Sequence, residues 1–327
     1  MSLLEVKNLH VEFPTRRGVL KALRDVNFTL DKGERLGIVG ESGAGKSLAA
    51  FAILNLLSKP GRIAQGEILF EGRDLTKLSS EEMRSIRGNR ISMIFQDPMM
   101  TLNPVLTIGT QMIETLKAHR NISTQEARLI AIDRLNEVRI PSAEERLDSY
   151  PHELSGGMRQ RVVIAIALLT EPSLIIADEP TTALDVTIQA EIMSLMLDLC
   201  KMHNVGLILI THDLAVVSQV TQQVIVMYAG RIAEKGKTKE VIENPRHPYT
   251  HGLMSALPQQ NQAGRRLYQI PGSMPTLDAM PDGCSFNPRC EYVGERCYLE
   301  VPDLQDINGH LVRCYKAQEL RDNGSLK

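Results

Sequence analysis

An α/β fold with a mostly parallel sheet, covered on both faces, is what the sequence predicts, and three observations predict it. Short apolar runs such as "ERLGIVG", "SLIIAD" and "GLILITHD" are of the kind that forms strands buried on both sides. The longer patterns "SLAAFAILNLL" and "TIQAEIMSLMLDLCKMH" between them read as helices. Strand and helix alternate along the chain, and parallel neighbours require such crossovers.

Taken in order, "LLEVKNLHVEF" and "LRDVNFTL" alternate with period two and read as half-buried strands of an antiparallel β subdomain. "ERLGIVG" is a buried strand, followed by a glycine-rich loop and the first helix. The charge-rich "RDLTKLSSEEMRSIRGNR" reads as a solvated surface helix. From about 88 to 171 the pattern is mostly helical, with the amphipathic "TQEARLIAIDRLNEV" at its centre. "VIVMYAGRIAEKG" reads as a hairpin turning at Ala229 and Gly230. Beyond "ENPRHPYTH" the composition shifts to Pro, Gly and Cys with little periodicity, which sets a boundary near 245 and a small loop-rich tail after it.

Composition narrows the function. Of the 327 residues 43% are hydrophobic and 23% charged, ordinary for a soluble globular protein. A formal charge of −2 argues against non-specific nucleic-acid binding as the main task. The longest apolar run, "VVIAIALL", is far short of the roughly 20 residues of a spanning helix. "MSLLEVKNLHVEF" lacks the basic start and apolar core of a secretory signal, so a cytosolic location with reduced thiols is expected. Cys200, on an amphipathic helix, reads as a small buried hydrophobe; the methionines of "MIFQDPMM" read as core filling or a flexible contact.

"GESGAGKS" lies between a strand and a helix and matches G-x-x-x-x-G-K-[ST]. Its glycines turn backbone amides onto phosphate oxygens at the positive end of the following helix. Lys46 would reach the β- and γ-phosphates, and the Ser47 hydroxyl would ligate Mg²⁺. "LIIADE" supplies two carboxylates at the end of a buried strand. Asp178 would hold Mg²⁺ through water and Glu179 would polarise the attacking water. "LSGGMRQR" offers Ser155, Gly156 and Gly157 at a helix start, which alone reads as an ordinary capped terminus. A second phosphate cradle becomes useful only if two chains enclose nucleotide between them.

With these motifs in this order, the chain resembles the nucleotide-binding subunits of ABC transporters. The resemblance implies a P-loop ATPase cassette over residues 1–245, with a helical subdomain at about 88–171. It implies ATP contacts from Gly40, Glu41, Ser42, Gly43, Ala44, Gly45, Lys46, Ser47 and Leu48, with Phe13 stacking on adenine. Gln96 of "MIFQDP" stands at the Q-loop, Asp185 ends the D-loop "TALD", and His212 of "LITHD" is the switch histidine. Catalysis would rest on Glu179, His212, Lys46 and Gln96, and Mg²⁺ on Ser47, Gln96 and Asp178. Leu154, Ser155, Gly156, Gly157 and Gln160 form the signature, which acts on ATP bound by a partner. Ala44 stands where many relatives have Ser or Cys, but that position works through its backbone.

The stretches "NPRHPYTHGLMSALP", "IPGSMP" and "CSFNPRC" look like the C-terminal extension of dipeptide and oligopeptide permease ATPases, the D-type subunits above all. That extension would span 246–327. Family resemblance further implies import of di- or oligopeptides, with nickel, glutathione or another solute as alternatives and a soluble non-transport ATPase as the rival. The implied partners are two transmembrane permease subunits, a second related ATPase and, indirectly, a periplasmic solute-binding protein. The implied place is the cytoplasmic face of the inner membrane, as a peripheral protein.

Four of the five cysteines, Cys284, Cys290, Cys297 and Cys314, fall in the tail. The tail is too short and too poor in large apolar residues to build its own core, so it needs another constraint. Disulfides are disfavoured in the cytosol. Structural zinc uses close C-x₂₋₄-C pairs, whereas the gaps here are five, six and sixteen residues. Wide spacings suit a [4Fe-4S] cluster better. The resembled permease ATPases are a family in which such a cluster occurs, and a structural [4Fe-4S] site on the four cysteines is the expectation.

Overall fold

Unbroken runs of Val, Ile and Leu form the inner strands of the computed structural model, which describes residues 2–182, 184–256 and 268–322. Ala183 of the D-loop and the side chains of Met99 and Met100 lie outside the described residues. In chain order the strands are β1 (Ser2–Thr15), β2 (Gly18–Asp31), β3 (Arg35–Val39), β4 (Arg62–Phe70), β5 (Arg73–Asp74) and β6 (Ile91–Ile94). β7 (Leu174–Asp178), β8 (Gly206–Thr211), β9 (Gln223–Tyr228), β10 (Arg231–Lys237), β11 (Gln305–Ile307) and β12 (His310–Val312) follow. Two compact units divide them. One consists mainly of Lys77–Ile210, and the other of Leu4–Thr29, Leu36–Thr76 and the described part of Thr211–Lys327.

In the first unit β6, β7 and β8 run parallel with β7 in the middle. Leu174 stands opposite both Ile91 and Gly206, and Asp178 opposite Ile210. Every residue of β7 and β8 is buried, the pattern of strands covered on both faces. β6 departs from the helix expected between 88 and 171. "ISMI" is too short for periodicity to separate strand from helix, and pairing with β7 decides. Helices at Ile108–Lys117, Thr124–Glu137, Gly156–Leu168 and Val186–Met202 complete the unit. Ser123 and Glu126 close a capping box at the second of these, whose Ala127, Ala131 and Leu135 are fully buried along one face. The charge-rich segment forms a short 3-10 turn at Leu75–Lys77 and an α-helix over Ser80–Ile86, again with a capping box, from Ser79 and Glu82. It is not wholly solvated, because Met83 and Ile86 are buried.

The second unit holds an antiparallel sheet in the order β2, β1, β4, β5. It also holds β3 parallel to β9, with Leu36 opposite Gln223 and Val39 opposite Val226. β9 and β10 form the expected hairpin. Ala229 (φ 46°) and Gly230 (φ 77°) both sit in the left-handed region, as a tight two-residue turn requires. Position 230 must be glycine on a second count, since a Cβ there would lie 2.1 Å from the Ala22 carbonyl oxygen.

The tail is more ordered than its composition suggests. β12 pairs antiparallel with β10, Glu234 opposite Val312, and β11 pairs with β12. Phe286 is buried between Tyr228 and Tyr249, at ring separations of 5.1 and 5.5 Å. Glu234, fully buried on β10, accepts the backbone N–H groups of Arg246 (2.7 Å) and His247 (3.0 Å). Three-residue strands carry no readable period, so this pairing was invisible in the sequence.

Candidate functional site: a phosphate loop and a carboxylate strand end

The phosphate loop belongs to the second unit. Buried β3 drives the chain directly into it, and the helix Lys46–Ile53 begins directly after Gly45. Gly40 (φ 150°) and Gly45 (φ 99°) need glycine, because a Cβ would lie 2.4 Å from the Met227 carbonyl oxygen and 2.7 Å from Leu23 Cδ2 respectively. Ser42 and Gly43 are exposed at the loop tip, and Ser47 and Leu48 are half-buried on the first helical turn. Lys46 is buried, and its Nζ donates to the carbonyl oxygens of Gly40 (2.8 Å) and Glu41 (3.0 Å). The ammonium is therefore tied to the loop at the positive end of a helix, a setting that favours an anion. Ala44 is buried, and its carbonyl accepts from Gly230 N at 2.9 Å.

In the same unit Phe13 is half-buried with its ring over Gly61, where a Cβ would meet ring carbons at 2.6 and 2.8 Å. His212 is exposed at the end of β8. Asp213 beside it caps the helix Leu214–Val220, its carboxylate accepting from Ala215 N at 2.8 Å and Val216 N at 3.3 Å.

The carboxylates belong to the first unit. Asp178 is buried as the last residue of β7, and Glu179 follows with φ 46°. That left-handed backbone, anchored by Glu179 N–H to the Ile210 carbonyl at 2.8 Å, swings the carboxylate off the strand axis. Its Oε2 accepts from Gln96 Nε2 at 3.3 Å and from Thr182 Oγ1 at 2.9 Å. Thr182 is a participant that motif reading missed, and a hydroxyl three residues past a strand-end carboxylate was the available signal. Ser155 caps the helix Gly156–Leu168 by accepting from Met158 N at 3.3 Å. Ser155 and Gly156 are exposed, whereas Leu154, Gly157 and Gln160 are buried. Gln160 is fully buried with neither amide atom hydrogen-bonded. Asp185 is exposed at the N-cap position of the helix Val186–Met202 without a side-chain cap bond.

These groups suit a Mg²⁺-nucleotide. In the second unit the buried ammonium at a helix start fits phosphate, and the Ser47 hydroxyl is a hard donor of the kind Mg²⁺ takes. In the first unit the oxygens of Asp178 and Gln96 are donors of the same kind.

Comparison with known proteins bears on both parts of the chain. The ABC transporter family model matches residues 23–182, and the model for the oligopeptide/dipeptide transporter C-terminal region matches 233–297. The oligopeptide transport ATP-binding protein OppD of Haemophilus influenzae is 49% identical over 318 residues, 97% of this chain and 98% of that protein. The chain belongs to the ATP-binding proteins of the ABC transporter family. The dipeptide transport ATP-binding protein DppD of Escherichia coli is 46% identical over 316 residues, 96% of this chain and 97% of that one. Among solved structures, the dimeric ATP-binding cassette MJ0796 bound to ADP and Pi is 29% identical with a TM-score of 0.64, covering 72% of this chain and 98% of that one. The α/β cassette expected from the motifs is thus the fold, and the chain is an ABC-type ATPase.

Beyond the cassette motifs of this ABC protein, the four tail cysteines come together. Cys284, Cys290, Cys297 and Cys314 line one cavity together with Phe286, Tyr292 and Tyr315 among others. No disulfide joins any two of the four, so the disulfide alternative has no pair here. Burial pushes the Cys290 thiol up to about 11 and the Cys314 thiol up to about 12, and the other thiols nearby act in the same direction. Among the described residues no group of three or more His, Cys, Asp or Glu is set to hold a metal ion, so the expected cluster draws no support from a formed metal site. Cys200 is buried and its thiol is raised to about 12 by desolvation, as a small core residue. No helix among the described residues is long and apolar enough to cross a membrane.

Proposed function

We propose that this ABC ATPase energises the import of di- or oligopeptides, as a peripheral subunit on the cytoplasmic face of the inner membrane. The observation that carries this reading is similarity to peptide-transport ATPases along nearly the whole chain, extension included. The division of labour follows the motifs: a cassette over 1–245 with a helical part at 88–171, and an extension over 246–327. Lys46 and the loop amides bind the nucleotide phosphates, while Glu179, oriented by Gln96 and Thr182, takes the proton of the attacking water. Mg²⁺, held by Ser47, Asp178 and Gln96, would supply charge neutralisation between the phosphates. Leu154, Ser155, Gly156, Gly157 and Gln160 act on nucleotide held by a second ATPase subunit, with Asp185 at the shared face and His212 at the γ-phosphate. Two permease subunits and a solute-binding protein complete the system, with no role for nucleic acid.

Co-expression with candidate permease subunits and a partner ATPase, followed by uptake into vesicles, tests the reading. ATP-dependent accumulation of a radiolabelled dipeptide or oligopeptide is the expected result. Uptake of nickel or glutathione in place of peptide would reassign the solute, and ATPase activity indifferent to any permease would sink the transport role.

The four-thiol cavity is proposed to hold a [4Fe-4S] cluster that staples the extension. Thiolate donors in this number suit such a cluster, and their wide spacing suits it better than zinc. Anaerobic purification is expected to yield a brown protein with about four irons per chain. One zinc per chain, or four free thiols on a folded tail, would defeat that assignment.

A further inference from the structure

Glu41 is held at every polar group, and the side chains that hold its amide and its carboxylate come from the extension. Its carbonyl accepts from Lys46 Nζ at 3.0 Å within the loop. Its backbone N–H donates to the Tyr249 hydroxyl at 2.8 Å. Its carboxylate takes a two-pronged pair from Arg289, with Nη1 to Oε2 at 2.7 Å and Nη2 to Oε1 at 2.9 Å. Such a fork is the strongest geometry available to a carboxylate.

The holders are themselves fixed. The Arg289 side chain is only 4% exposed, its Nε donates to the Pro271 carbonyl at 2.8 Å, and its guanidinium lies 5.8 Å from the Tyr228 ring centre. Tyr249 is fully buried, and burial pushes its phenol well above the ordinary range, so it stays protonated. The same part of the extension reaches the loop tip. Met274 Sδ lies 3.9 Å from where a Cβ would stand on Gly43.

A phosphate loop has no need of a carboxylate for its own closure, since its ligands are amides and a lysine. Left unpaired, the Glu41 anion would repel the phosphates the loop receives. Pairing by Arg289 removes that repulsion. The Tyr249 bond takes the Glu41 amide out of service and fixes the direction of the loop at that residue.

We propose that Arg289 and Tyr249 are positioning residues for nucleotide binding, clamping Glu41 so that the extension sets the charge and direction of the phosphate loop. The proposal rests on the phosphate-loop reading given above. It makes nucleotide affinity conditional on a folded extension, 248 positions away along the chain.

The test is equilibrium binding of mant-ADP to the full chain, with hydrogen exchange of the 40–47 peptide as the second readout. Arg289→Gln is expected to weaken binding by about tenfold or more and to speed exchange in the loop, with Arg289→Lys falling between it and wild type. Adding Glu41→Gln to Arg289→Gln is expected to recover most of the lost affinity, because it removes the stranded anion. A merely destabilised extension would not be rescued by a change on the loop. Wild-type affinity in Arg289→Gln, or no recovery in the double variant, overturns the clamp. If Arg289→Gln does not fold, Tyr249→Phe decides: weaker binding and faster loop exchange support the clamp, and wild-type values overturn it. A wild-type chain that bound no mant-ADP would overturn the phosphate-loop reading and this inference with it.

Discussion

Gln96 donates its side-chain amide to the carboxylate of Glu179 across 3.3 Å, joining residues 83 positions apart. The hydroxyl of Thr182 donates to the same oxygen at 2.9 Å. A carboxylate held by two neutral donors has its direction fixed, which is what a proton acceptor for water requires.

Glu179→Gln is accordingly expected to keep nucleotide binding and lower ATP turnover by at least ~10²-fold, the lower end of general-base contributions. Steady-state hydrolysis by the assembled transporter measures it, beside a binding titration. Turnover within a few-fold of wild type would remove Glu179 from the proton-accepting role.

Lys46→Met keeps most of the buried stem and deletes the ammonium that ties Gly40 and Glu41. Charge-assisted hydrogen bonds contribute roughly 1.5–3 kcal/mol, so ATP affinity should fall about 10- to 100-fold. Fluorescent-nucleotide titration checks this. Unchanged affinity would mean that the loop amides alone carry binding.

Ser155→Ala separates two roles of one hydroxyl. Loss of the cap bond to Met158 N–H is expected to cost about 1 kcal/mol of stability, read by urea unfolding. If the hydroxyl also serves a partner's nucleotide, hydrolysis by the assembled pair should fall well beyond what that small loss explains. Equal, small effects on both readouts would leave Ser155 as a cap only.

His247 gives the fold a pH dependence. It caps the helix Pro248–Ser255 through Nδ1, which accepts from Tyr249 N at 3.0 Å. Burial lowers its pKa from 6.5 to about 4. The unfolded chain therefore binds the proton more tightly, so this contribution is full above about pH 6.5 and is lost as pH falls towards 4. The loss should reach about 3 kcal/mol at the acid end. Thermal melts from pH 7.5 to 4.5 measure the slope, and His247→Asn, which retains a capping acceptor, should flatten it. An identical slope in that variant would assign the acid sensitivity to other groups.

Local strings made most of the cassette legible. "ERLGIVG" and "SLIIAD" fold as buried strands because every side chain in them can be covered, and "GESGAGKS" states its own backbone demands through its glycines. β6 and the β11–β12 hairpin were not legible, because three or four residues carry no period and the partner strand decides their state. Thr182 was not singled out, since a threonine after a carboxylate has many ordinary uses.

The sequence by itself determined the cassette, its glycine-rich loop and the order of its motifs, because each rests on contacts a few residues long. It also told of a tail with four cysteines and no core of its own. Only the tertiary structure decided what the tail is joined to. β12 completes its hydrogen bonding on β10, Phe286 fills the space between Tyr228 and Tyr249, and Arg289 pairs with Glu41. No periodicity encodes such meetings. A buried guanidinium must find a carboxylate wherever packing brings one, and an edge strand must pair with whatever backbone lies beside it.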